Sequence, residues 1–356
     1  ELWRSDGTVA GTTMVRDMNP GNGSSALLAM VPSPNGVYYI SNDGQGTGYE
    51  LHWSDGTFAN TRLVIDLVPG VNAANYQHLT PFGNGVLFGL DAGTGSGTEP
   101  WFSDGTAAGT YLLADLQPGT ASSSPYNFRP VSATRALFTA YHPATGYEYY
   151  VTDGTPAGTA LLMDLYPGTG SSSPDGAIAA FGGVAFAAQT PNFGTELWFS
   201  DGTAAGTRMI ADSAPMSLTT VPSQLALVGG RVFYRGNSPQ WGLELFVSDG
   251  TTAGTGLAAD LATTYADSSP LLFTETPNGV LFRATTSNTE LWRSDGTSAG
   301  TYELDYGTGG NYVYEMVGMN GTAYLSGYAP SVGSELLRSD GTQAGSVALD
   351  VNPGTN

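Results

Sequence analysis

Apolar residues fall in short runs along the whole chain, separated by clusters of Gly, Pro, Asn and Ser. One stretch shows the pattern well. Runs at 79–82, 85–90, 99–103 and 110–116 are divided by Gly83-Asn84-Gly85, by a polar loop and by an Asp-Gly-Thr turn. Runs of this length bounded by turn residues predict β-strands, here named a, b, c and d. No segment has a helical period with caps. Several strands are apolar at consecutive positions, as at Leu2-Trp3 and Leu197-Trp198. Consecutive side chains face opposite sides of a sheet, so both sides of such a sheet must be covered. Small four-stranded sheets stacked radially meet that demand, and they are the blades of a β-propeller. The connections agree: a–b links are tight, while the d-to-a link at 118–125 is long enough to cross from an outer strand to the next inner one.

The four-strand unit recurs. Glu1-Leu2-Trp3-Arg4-Ser5-Asp6-Gly7-Thr8 returns at 196–203 and again at 290–297. The turn Asp falls at 6, 55, 104, 153, 201, 249, 295 and 340, a period in the range of solenoids and propellers. There are eight c–d hairpins but seven a–b pairs, the latter near Val37, Val86, Leu137, Val184, Val232, Val280 and Ala323. The expectation is an all-β, eight-bladed propeller with one blade incomplete, four antiparallel strands to a blade. A seven-bladed ring with a spare hairpin is the alternative. With no linker in view, residues 1–356 read as one domain. A chain that opens inside its own motif reads as part of a longer one.

Composition narrows the partners. Net charge is −20, and all eleven basic residues are Arg. A Glu and two Asp in each of eight repeats supply 24 of the 31 acids, so the charge belongs to the framework. Such a chain repels phosphate backbones and anionic lipid, so neither nucleic acid nor membrane insertion is expected. Without Cys there is no disulfide, thiolate metal site or Cys nucleophile.

In Ser-Asp-Gly-Thr-x-Ala-Gly-Thr the Asp side chain can bond backbone N–H groups two residues on, and Gly supplies positive φ, which encodes a tight structured loop. One carboxylate per loop falls short of the 6–8 oxygens calcium takes. The Glu that opens strand c and the Asp that closes strand d pose a separate question. Eleven Arg cannot pair with them all, so these acids accept backbone and hydroxyl hydrogen bonds, stay solvated, or bind metal. Glu50 with Asp66, Glu99 with Asp115, Glu148 with Asp164 and Glu196 with Asp212 are therefore candidate Ca²⁺ ligands.

Ligand sites in repeat proteins lie where the copies differ. The b–c loops vary at 41–49, 91–98, 141–147, 189–195 and 236–243, and share a face with the d–a links. Their aromatics, Tyr49, Tyr76, Tyr126, His142, Tyr147, Phe193, Trp241 and Tyr328, are candidate ligand-binding residues. Aromatic planes beside carboxylates and amides suit sugar rings. Catalytic signals are few. His52 stands where Trp3 and Trp101 stand in sister units, so it reads as framework, and no His cluster or phosphate loop appears.

The segment at 290–297 resembles the ELWxxDGT repeat proteins of bacterial surfaces and secretions, with departures at Pro100, His52-Trp53, Tyr149-Tyr150 and Leu337. The resemblance implies an extracellular or cell-surface bacterial location and carries no catalytic residues. The expectation is then a non-catalytic extracellular module for adhesion or scaffolding, meeting glycan, extracellular matrix, a protein partner or a second copy of itself. A structural subunit of a surface assembly and an extracellular carbohydrate-active enzyme are the alternatives.

Overall fold

A computed structural model describes residues 1–356 except 71–73, 214–219, 263–265, 287–288, 307–311, 330–331, 352 and 354–356. Every regular element among the described residues is a β-strand. They form one two-stranded hairpin and seven four-stranded antiparallel sheets, each in the order a-b-c-d. This is the blade set of an eight-bladed β-propeller with the first blade half present, as the sequence predicts. The hairpin, Leu2–Arg4 with Thr13–Arg16, is blade 1. Contacts divide the chain into two compact units, Glu1–Ser173 with blades 1 to 4 and Pro174–Asn356 with blades 5 to 8.

Blade 3 shows how the pattern becomes structure. Its strands are Gln77–Phe82, Gly85–Leu90, Glu99–Ser103 and Thr110–Leu112. Strand b is buried along its whole length, because a neighbouring blade covers each face. Within each unit the strands a of successive blades lie against one another, which sets the blades side by side around their inner edges. Cores form between blades: Leu51 of blade 2 shares one with Val86, Phe88 and Trp101 of blade 3.

The predicted boundaries shift in two places. Strand d of blade 3 stops at Leu112 and not at 116, because the N–H of Leu116 turns to the Glu99 carboxylate. Three of the supposed b–c loops are mostly strand. Tyr141 pairs with Tyr147, Gln189 with Thr195 and Asn237 with Leu243, leaving tight turns.

The scarce Arg residues work at blade junctions. Arg62 stacks over Trp53, at 4.8 Å, and donates to the Gly105 carbonyl in the next blade's turn. Arg208 stacks over Phe199 and donates to Gly250 in the same way.

Candidate functional site

The Asp-Gly-Thr turn is closed by its own side chains. In blade 3, Asp104 Oδ1 accepts from the Thr106 N–H at 2.9 Å and its hydroxyl at 2.7 Å. Ser103 and Thr110 bond hydroxyl to hydroxyl beneath it. Gly109 is required by space, since a Cβ there would lie 2.1 Å from the Asp104 carboxyl group. Blade 2 has Asn60 at that place, and its amide donates to Asp55 Oδ2. The threonine bonds hold Asp55, Asp153 and Asp249 below the usual carboxylate range. The turn carboxylates are thus committed to the fold.

The Glu of strand c forms a second device, a buried latch on the d–a link. Glu99 Oε2 accepts from the Leu116 N–H and the Ser123 hydroxyl, and Oε1 from the Ser123 N–H. Glu148 holds Leu165 and Ser172, Glu196 holds Ser213 and Thr220, and Glu244 holds Leu261 and Ser268 in the same manner. The donors sit 17 and 24 residues beyond the Glu, and that spacing of Ser or Thr is visible in the sequence although the acids alone attract notice. Burial pushes Glu99, Glu148 and Glu244 upward, against the pull of these bonds. Glu196 is pushed to about 7, again mainly by burial.

Blade 2 departs from the rule. Ala74 occupies the hydroxyl position, and the Tyr76 hydroxyl donates to Glu50 Oε2 in its place, at 2.7 Å. Glu50 Oε1 is buried without a hydrogen-bond partner. Burial first, and the charge of Asp66 as a lesser cause, push Glu50 to about 7. Among the described residues no group of three or more His, Asp and Glu side chains is placed to hold a metal.

The predicted aromatics are scattered. Phe193 alone of the eight is exposed; Tyr49, Tyr76, Tyr126, His142, Tyr147, Trp241 and Tyr328 are half-buried. Tyr126 and Tyr147 do come together, ring centroids 6.1 Å apart, with Tyr141 against Tyr147 and His78 against Tyr126. Tyr328 pairs with Tyr312, and Tyr76 belongs to the Glu50 latch. His52 is fully buried, stacked on Tyr39 and bonded to the Glu50 carbonyl and Ser41, and its burial pushes its pKa below the usual imidazole value.

A feature of strand a is absent from the sequence reading. In blades 3, 4, 6 and 7 its second residue, His78, Asn127, Gln224 or Leu272, has positive φ, as has Gly176 in blade 5. The register with strand b slips there in each case, a β-bulge. Strand a is the end strand of every four-stranded sheet, so a bulged edge recurs through blades 3 to 7.

No family model and no curated protein matches the chain. Among solved structures it is similar to a prolyl endopeptidase, at TM-score 0.47 and 10% identity over 89% of this chain and 48% of that one. It is similar to puromycin hydrolase, at 0.42 and 12% over 99% and 56%, and to oligopeptidase B from Trypanosoma brucei, at 0.47 and 11% over 90% and 47%. The chain spans about half the length of these proteins. The expected adhesion or scaffolding module is corrected here, with its surface-subunit and carbohydrate-enzyme alternatives: these structures are of two peptidases and a hydrolase.

Proposed function

We propose that this chain is the propeller portion of a peptide hydrolase, and that the inner edges of its blades meet the peptide. The observation that carries the reading is the bulged end strand a in five successive blades. An end strand presents backbone N–H and C=O groups on one side, which is the template an extended peptide pairs with. A bulge interrupts that template locally, so the edge takes short extended segments and discourages pairing with a long strand. The latches support the same reading. They tie each d–a link to its blade, so the strand a that follows enters from a fixed point. The turn Asp and the strand-c Glu serve this framework, and on this reading the hydrolytic chemistry belongs to another part of the whole protein.

Hydrogen exchange of the full chain tests this, with and without an excess of unfolded casein-derived peptides. Slower exchange in strands a, centred on 77–82, 126–132 and 223–228, is the expected result. Unchanged exchange there, with peptide at millimolar concentration, rejects the reading.

A further inference from the structure

At junctions inside a unit, large side chains fill the corner where a blade meets the next blade's Asp-Gly-Thr turn. Blade 5 shows the set. Phe199 of strand c stands opposite Arg208 of strand d, and Phe181 of the a–b turn lies against Phe199, ring centroids 6.5 Å apart. Arg208 stacks over Phe199 at 5.0 Å and donates to the Gly250 carbonyl of blade 6. A Cβ on Gly250 would lie 2.9 Å from the Phe181 ring, so ring and turn are in close contact. Blades 2 and 3 hold Trp53 with Arg62 and Phe102 with Tyr111 at the same ladder position.

Blade 6 has a small residue at each of the three places. Gly229 stands for Phe181, Val247 for Phe199 and Gly256 for Arg208. A Cβ on Gly229 or on Gly256 would meet nothing within 4 Å. Two adjoining hollows of about 650 Å³ and 350 Å³ open there, and Arg231 and Thr297 line both. Arg231 keeps half of the device, since its guanidinium donates to the Asp295 carbonyl of blade 7 at 3.0 Å. What it lacks is the ring of strand c, where Val247 stands. Blade 4 carries a small pair too, Val151 and Ala160, but it is the last blade of its unit, whereas blade 6 has a neighbour of its own unit on each side.

We propose that this cleft is a subsite for one aromatic side chain of a bound peptide, its ring lying where blade 5 places Phe181 and Phe199 and stacking on the Arg231 guanidinium. The preceding junction shows what the corner is shaped to hold: a ring under a guanidinium that is itself tied to the next turn. Charge disfavours an anionic occupant, because Glu275, Asp249 and Asp295 line the hollows against the single cation of Arg231. That the ring comes from a peptide rests on the function proposed above. Val228, the last residue of strand a in blade 6, lines the cleft, so a peptide lying along Ser223–Val228 brings a side chain to it at the end of that edge.

The test uses two short unstructured peptides identical but for one central residue, phenylalanine in one and alanine in the other. Calorimetric titration of the full chain should show the phenylalanine peptide binding about tenfold tighter. Gly256→Tyr fills the cleft from within, as Tyr302 stands at that ladder position in blade 7 and stacks with Arg293 at 5.0 Å. This variant should bind both peptides equally, with a denaturation midpoint no lower than that of the wild type. Arg231→Gln should cut the preference at least about threefold. Equal affinity of the wild type for the two peptides overturns the subsite, and so does a preference that survives either substitution. Hydrogen exchange in strands a, followed with the same peptides, judges the edge reading separately: protection there with no preference for phenylalanine keeps that reading and rejects the subsite, whereas a preference without protection does the reverse.

Discussion

At the scale of the residue, the most telling group is Glu50. Its relatives in blades 3 to 6 accept bonds on both carboxylate oxygens, whereas Glu50 has one oxygen without a partner and a tyrosine where a serine or threonine hydroxyl is the rule. A carboxyl raised in the folded state stabilises fully below its unfolded pKa, and the contribution is lost as pH climbs through the folded value. For Glu50 that window runs from about 4.5 to about 7, and a shift of that size is worth roughly 3 kcal/mol. The melting temperature should therefore fall as pH rises from 4.5 to 7.5. In Glu50→Gln the slope over that window should be shallower, and thermal melts across the range check it. An unchanged slope would mean Glu50 is ionised in the fold. Little of this was legible beforehand. The acid is plain in the sequence, but its isolation depends on Ala74, 24 residues away.

At the scale of the element, the latch ties the end of one sheet to the start of the next. Replacing Ser123 by Ala removes the hydroxyl donor to Glu99 and leaves a buried carboxylate oxygen short of a partner. The expected cost is about 1–3 kcal/mol, read as a shift of the denaturation midpoint with unchanged slope. Ser96→Ala, in a half-buried bend where the hydroxyl meets that of Thr94, should shift it by less than about 0.5 kcal/mol. Strand identity was legible, since turn residues and apolar runs mark each strand. Strand ends were less so: strand d yields to the latch after Leu112, and 141–147 becomes hairpin because its aromatics pair across the ladder. The bulges at His78 and Asn127 had no signal at all, as neither residue type marks positive φ strongly enough.

At the scale of the whole molecule, the repeat made the blade count readable, including the half blade, because each turn announces itself. The exposure of the loop aromatics was not readable in the same way, because it is decided by which blade lies alongside: Phe193 is exposed and the other seven are half-buried. Calcium belongs to this scale too, since the same acids recur in every repeat. In blades 3 to 6 both oxygens of the Glu already accept N–H or O–H donors, and a cation would have to displace them. Melting temperatures in EDTA and in millimolar Ca²⁺ should agree within a degree. A rise in calcium would show binding to the folded state by mass action and return the repeated acids to metal duty.

The latch serine has a second attachment. Ser123 clamps Glu99 of blade 3, while its carbonyl accepts the Tyr141 N–H of blade 4; Thr220 and Ser268 bridge blades 5 to 6 and 6 to 7 in the same way. Each is a rivet through two plates, and loosening one plate loosens its neighbour. In a one-dimensional array with nearest-neighbour coupling, such rivets turn separate sheets into one cooperative block. The rivet's hydroxyl is missing between blades 2 and 3, where Ala74 takes its place. That is the seam along which the first unit would part early under load: blade 2 from blade 3.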